Sequence, residues 1–266
     1  MTIALLTNDD GIDSIGLRRL VKEVAARGLE VYVVAPKHQV SGAGKSNSRT
    51  VRVERVEVEG AREAWAIDGK PADAVAIAVK ALLPRKPDVV VSGINIGPNM
   101  GLTDFFTSGT IGAAIEAALL GIKAVASSYA ALRGLSEFDE PYVRKAAMVT
   151  AEVTERFLED ERLKDVDVLV LNFPRGEPKG LVVAPMAFMA NIEVYNGEEE
   201  NVYHVLGWKT DDLEEAYAGG DEGTDVYYVK RGYATVTPVC LRCLALTTAE
   251  RRLIDIVKRA LNGLVE

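Results

Sequence analysis

The chain has 266 residues, 48% apolar and 26% charged, which is the composition of a globular protein with room for one large α/β domain or a domain with an appendage. Its 31 Lys and Arg against 39 Asp and Glu leave a net charge of −8, which argues against duplex nucleic acid as a partner, since neutralising phosphates needs a cationic surplus. No apolar stretch reaches bilayer-spanning length, and no basic segment precedes the apolar run 3–6, so no membrane partner is expected and the expected location is cytoplasmic.

The run 3–6 stops at Asn8-Asp9-Asp10-Gly11, placing two adjacent carboxylates at the mouth of a sheet. Each charge raises the pKa of the other unless a cation sits between them, and the cation suited to hard oxygen ligands is Mg²⁺ or Mn²⁺. Asn, Asp and Gly are also ordinary turn residues, so the string alone fits a turn as well as half a metal site. From residue 14 to 27, Leu17, Leu20, Val21 and Val24 recur at helical spacing, with Gly28 as a stop. Residues 30–35 read as a buried strand closed by Pro36, and 51–58 alternate as a half-exposed strand. A helix over 71–83 carries Pro71 in its first turn, where the missing N–H costs nothing. Strands are then expected at 88–91, 123–126 and 166–171, and helices at 110–120 and 141–157.

Strands that are apolar throughout and separated by helices imply a parallel sheet covered on both faces. The expected fold is α/β, a Rossmann-like three-layer α/β/α core over residues 1–180 with a mainly parallel sheet, followed by a C-terminal segment, 181–266. In that segment 182–189 and 202–208 flank a turn at Tyr195-Asn196-Gly197 as a projecting hairpin, and an acidic loop runs from Asp211 to Asp225. Late strands return to the core, and a terminal helix is expected over 248–261. Such an appendage is either an assembly device, which predicts a homo-oligomer, or an inert elaboration.

The cysteines are Cys240 and Cys243, spaced C-x-x-C. A zinc site needs two further ligands, and the histidines are only His38 and His204. The pair reads as two small apolar residues or a disulfide. The scarcity of histidine also leaves little room for a His-nucleophile phosphatase, a Ser-His-Asp hydrolase or a His-rich dinuclear zinc site.

Ligands of parallel sheets bind outside the carboxyl ends of the strands. Four loops leave that edge: 8–11, 37–48, 92–110 and 172–176. The second brings Ser41 among glycines, and the third brings Asn95 and Asn99 before feeding Thr107-Ser108-Gly109-Thr110 into a helix. A helix start offers free N–H groups and partial positive charge to phosphate, although Ser108 or Thr107 also fits a plain cap. The string Gly42-Ala43-Gly44-Lys45-Ser46 is not a P-loop, because Gln39 stands where that motif needs glycine and a strand pattern follows where it needs a helix. No dinucleotide fingerprint joins the first strand to the first helix. Haloacid-dehalogenase-type phosphatases space their aspartates by one residue, so the adjacent pair points away from that mechanism.

The blocks LLTNDDGI, APKHQVSGAGKS, DGKPADAV, VVSGINIGPNMG, SGTIGAAIEA and GYATVTP, in this order through residue 238, resemble SurE, the survival protein E family of nucleotidases. Departures are small: Lys70 precedes Pro-Ala-Asp where Thr is commoner, and Pro98 and Met100 stand within the third loop. The resemblance implies a divalent-metal-dependent phosphomonoesterase acting on nucleoside 5′- and 3′-monophosphates. It implies Asp9, Asp10, Ser41 and Asn95 as ligands of one divalent cation, Mg²⁺ or Mn²⁺, with Asp9 and Asp10 as the catalytic pair. Asn99, Ser108, Gly109 and Thr110 are then the substrate-phosphate residues, and a homodimer or homotetramer is implied. The expected chemistry is attack by an activated water rather than by an aspartate. A broad acid phosphatase, a short-chain exopolyphosphatase and a non-catalytic nucleotide-binding module are the alternatives. Thr224-Asp225, in an acidic block resembling the family's C-terminal motif, reads as structural rather than catalytic.

Overall fold

The computed structural model describes residues 1–188, 195–197, 199–204 and 210–245. β1 (Ile3–Thr7) is buried along its whole length and runs into the turn 8–11. α1 (Ile15–Ala26) starts at Ser14, whose Oγ accepts the Leu17 N–H at 3.2 Å, and buries the stripe Leu17, Leu20, Val21 and Val24. The chain continues through β2 (Glu30–Pro36), β3 (Val53–Val56) and β4 (Glu63–Ile67) into α2 (Pro71–Ile77). β5 (Val89–Ile96), α3 (Gly101–Thr107), α4 (Gly109–Leu119), β6 (Lys123–Tyr129), α5 (Glu140–Glu159) and β7 (Val168–Phe173) follow. Beyond them come β8 (Leu181–Val183), β9 (Tyr195–Asn196), β10 (Tyr203–His204), α6 (Leu213–Ala216), α7 (Asp225–Lys230), β11 (Ala234–Val239) and α8 (Arg242–Ala245).

Among the described residues one sheet has the order β3-β4-β2-β1-β5-β6-β7-β11-β8. From β4 to β7 every pairing is parallel, while β3 and β11 each run antiparallel to a neighbour. The chain moves outward from β1 to β2 and β4, then crosses back to build β5, β6 and β7 on the other side. The β1–β5 boundary is therefore the topological switch point, where loops of opposite sense part and leave a crevice. Because strand side chains alternate, Ala4 and Leu6 of β1 join the core under α1 and α5, whereas Ile3 and Leu5 join the core under α2 and α4. The three-layer α/β/α expectation is met, and no helix of the described residues is long and apolar enough to cross a membrane.

Several elements differ from their sequence reading. β4, in Glu63-Ala64-Trp65-Ala66-Ile67, has no counterpart among the expected strands, because a five-residue run with a charged start carries little period. The expected loop 92–110 contains the end of β5 and the whole of α3. Residues 181–183 do not form a hairpin arm; β8 pairs with β11 at the edge of the main sheet. Among the described residues an antiparallel pairing joins β9 to β10, so Tyr195 and Asn196 are strand rather than turn; the expected arm residues 189 and 205–208 lie outside the described residues. The helix expected over 248–261 lies outside the described residues.

Candidate active site

The turn after β1 buries Asp9 and half-buries Asp10. Thr110 Oγ1 donates to Asp9 Oδ1 at 2.5 Å, and the backbone of Gly109 and Thr110 at the start of the helix also favours the charged form of that carboxylate. Burial raises the Asp9 pKa, and those hydrogen bonds only partly offset it. Asp10 Oδ2 accepts the Ile96 N–H at 2.9 Å, while burial, with the Asp9 charge second, pushes Asp10 up to about 7. Among the described residues no Lys or Arg comes within 4.0 Å of either carboxylate. Asn8 adds to the surplus of acceptors: its Nδ2 donates to Gly11 O at 3.0 Å and to Ser14 Oγ at 2.6 Å, but its buried Oδ1 has no donor among the described residues.

The start of α4 can approach Asp9 only because residue 109 is glycine. A Cβ there would lie 2.8 Å from Asp9 Cβ and 2.9 Å from its Oδ2. One turn on, a Cβ at Gly112 would lie 2.4 Å from Gly44 O, so α4 also packs tightly on the loop that carries Ser41. Ser108 caps the helix, its Oγ accepting the Ile111 N–H at 3.1 Å, which leaves its hydroxyl proton available to a ligand.

The Ser41 loop is tied to the pair through the Val40 N–H, which donates to Asp9 O at 2.8 Å. Ser41 itself is exposed and accepts from Gln39 Nε2 at 3.0 Å. At its far end the loop is stitched to α2 by Asp73, which accepts the Ser48 N–H at 2.9 Å and the Lys70 N–H at 3.0 Å. On β5 the register against β6 shifts between Ser92 and Asn95, and this bulge re-aims the residues at the strand's end. Asn95 is buried there, its Nδ2 donating to Gly97 O at 2.7 Å. Asn99 hangs from a different set of ties. Its Nδ2 donates to Ser128 Oγ at 2.8 Å, and its peptide is clasped by Asn172, which accepts the Asn99 N–H and donates to Asn99 O, both at 2.9 Å.

The structure thus brings Gly109 and Thr110 against Asp9, with Asp10 next to it, and places Ser41 and Asn95 one residue from the backbone ties to the pair. Among the described residues no hydrogen bond links Asn99 to the pair. Of Gly109 and Thr110, expected at the substrate phosphate, Thr110 gives its hydroxyl to Asp9. Asp73 and Ser128 hold the site loops and escaped the sequence reading; Asn172 opens the expected edge loop 172–176, but its hold on the Asn99 peptide did not show in the sequence. For Asp73 a signal was available, an acidic residue in the helix's first turn behind proline; for Ser128 there was none.

The donor set is all oxygen, two carboxylates without a Lys or Arg partner among the described residues and neutral oxygens beside them, which suits a hard divalent cation. Among the described residues no three His, Cys, Asp or Glu side chains group as a metal site, so the remaining ligands would be neutral oxygens. Far from this edge, Cys240 and Cys243 are joined as a disulfide after β11, neither of them buried.

The model of the family described as survival protein SurE matches residues 4–192. The chain belongs to the SurE family. It is 39% identical to the 5′-nucleotidase SurE of Methanopyrus kandleri over 97% of this chain and 99% of that protein. It is 36% identical to the 5′-nucleotidase SurE of Pelotomaculum thermopropionicum over 88% of each. Its fold is similar to the crystal structure of the SurE protein from Aquifex aeolicus, with a TM-score of 0.73 and 29% identity over 99% of this chain and 100% of that one.

Proposed function

We propose that the chain is a divalent-metal-dependent 5′-nucleotidase, hydrolysing nucleoside 5′-monophosphates, and 3′-monophosphates with them, to nucleoside and phosphate. The observation that carries this reading is the buried Asp9–Asp10 pair, without a cationic partner among the described residues, at the switch point of a SurE-family sheet and against the start of α4. Asp9, Asp10, Ser41 and Asn95 would hold one Mg²⁺ or Mn²⁺. An ion so held would supply charge neutralisation of the pair and Lewis acidity toward the phosphoryl group and its water nucleophile.

The remaining work falls to the chain's own groups. The Ser108 hydroxyl and the Asn99 Nδ2–H not given to Ser128 donate to phosphoryl oxygens, and the positive end of α4 favours the charge that accumulates there. Asp10 Oδ1 has no donor among the described residues and is the better placed of the two carboxylates to take a proton from the attacking water. Thr110 holds Asp9 in its orientation. For the nucleoside, α3 offers Phe106, which is 61% exposed beside Thr107, whereas Phe105 is buried in the core. Base stacking on that ring favours nucleotides over simple phosphomonoesters. The working protein is read as a cytoplasmic homodimer or homotetramer, with the β9–β10 hairpin as an assembly element.

The test is phosphate release from a panel of nucleoside 5′- and 3′-monophosphates, p-nitrophenyl phosphate and tripolyphosphate, with Mn²⁺ or with EDTA. Nucleoside monophosphates are expected to turn over fastest and to stop turning over in EDTA. Activity unaffected by EDTA would remove the metal from the proposal, and preference for tripolyphosphate would replace nucleotidase by exopolyphosphatase.

A further inference from the structure

The peptide that carries Asn99 is held mainly by side chains. Four successive backbone N–H groups each have an acceptor inside the protein: Asn99 donates to Asn172 Oδ1 at 2.9 Å, Met100 to Asp104 Oδ2 at 3.0 Å, Gly101 to Asp225 Oδ2 at 2.9 Å and Leu102 to Ala187 O at 3.0 Å. Asp104 and Asp225 are buried, and among the described residues neither pairs with Lys or Arg. Tyr217 reinforces the first by donating its hydroxyl to Asp104 Oδ2 at 2.5 Å. Asp225 also accepts the Ala187 and Val226 N–H groups on Oδ1, both at 2.8 Å, so it clasps α3, the segment after β8 and α7 together. A small apolar cluster of Met100, Ala130, Ala187, Tyr217, Val226 and Val229 closes around the same point.

Two buried carboxylates beside a loop that receives a phosphate work against the ligand's charge, so attraction cannot be their use. Their oxygens are spent on fixing backbone, and the backbone they fix starts at the residue after Asn99. We propose that Asp225, with Asp104 and Tyr217, is a positioning residue for phosphate capture: the C-terminal segment sets the Asn99 loop, and through it the affinity for substrate phosphate. This rests on the reading of Asn99 as a phosphate-contacting residue.

Asp225→Asn is the direct probe. An amide can keep one acceptor but must turn its NH₂ toward the Gly101 or the Ala187 N–H, donor against donor. In the full chain, with Mn²⁺ present, the calorimetric Kd for inorganic phosphate and the KM for a nucleoside monophosphate are expected to rise about tenfold, the scale seen when groups supporting a site are lost, with the Kd for Mn²⁺ itself within about twofold. Tyr217→Phe is expected to move the same two constants less. Asp104→Ala weakens phosphate binding as Asp225→Asn does, and Asp104→Asn, which keeps an acceptor for Met100 and Tyr217, restores it; this pair decides the matter if Asp225→Asn does not fold. A lowered melting temperature with unchanged phosphate Kd and KM would overturn the positioning role. If the wild type binds phosphate, and the variants bind it more weakly, but no nucleotide is hydrolysed, the proposed function fails and this inference stands.

Discussion

Asp139 and Asp9 are buried carboxylates at the same edge of the sheet, Asp10 beside Asp9 is half-buried, and they are treated in opposite ways. Asp139, just before α5, is fully buried and accepts five hydrogen bonds: from Arg175 Nε and Nη2 at 2.9 Å each, Tyr129 Oη at 2.9 Å, Ser136 N at 2.8 Å and Ser136 Oγ at 2.6 Å. Burial pulls its pKa up, but the Arg175 and Ser136 bonds outweigh it and hold the carboxyl well below the usual range. Asp9 and Asp10 have hydroxyl and backbone donors only, and both are pushed up. A buried carboxylate with its cation built in is part of the scaffold. Asp104 and Asp225 also lack a cation, but each spends its oxygens on backbone N–H groups. What sets Asp9 and Asp10 apart is that two adjacent carboxylates share one turn beside the unpartnered Asn8 Oδ1, and that juxtaposition marks the candidate site more clearly than depth of burial does.

Replacing each side of the contrast should give opposite results. Asp10→Asn removes a charge that lacks a partner, so metal-dependent phosphate release is expected to fall by at least about 10²-fold while the metal-free protein melts no lower than wild type. A large drop in melting temperature would make Asp10 scaffold.

The pH dependence sharpens the same point. Asp10 and Asp104 are both pushed up to about 7, chiefly by burial, so between about pH 4 and pH 7 the folded chain binds protons that the unfolded chain does not. Unfolding free energy in EDTA is therefore expected to fall as pH rises through that window, by about 1 kcal/mol per pH unit per group, and added Mn²⁺ is expected to recover part of the loss at pH 7.5. Asp139 has the reverse sign: its contribution is present above the unfolded carboxylate pKa and is lost as pH falls toward its depressed folded value. Melts in EDTA that strengthen steadily from pH 4 to 8 would contradict the first sign.

Arg175→Ala strips the scaffold carboxylate of its cation. Because the Arg175 side chain is 35% exposed, solvent screens part of the loss, and about 2 kcal/mol, roughly 4–8 °C in melting temperature, is expected. The smallest effect is expected at the site's rim: Phe106→Ala should raise KM about fivefold for nucleotides and leave p-nitrophenyl phosphate unchanged. An equal change for both would remove the stacking role.

The fold class was legible because both faces of the sheet are covered, and continuous apolar strands such as Val89-Val90-Val91 announce that directly. The Asp9–Asp10 turn and the Ser108 cap were legible as local chemistry at strand and helix ends. The brace on the Asn99 loop was legible only in part: Asp225 reads as structural and residue 172 opens a loop at the ligand edge, but their partners, Gly101 and Asn99, lie 124 and 73 residues away and no local pattern pairs them. β8 was misplaced for a related reason: three residues can pair with either neighbour, and only the return of β11 decides which.

The central claim is that the uncompensated pair is a cation site. A calorimetric titration of Mn²⁺ into the wild type and Asp10→Asn at pH 7.5 tests it most directly. The account predicts a saturable single-site isotherm for the wild type and an affinity at least about tenfold weaker for the variant. Equal affinities in the two proteins would contradict it.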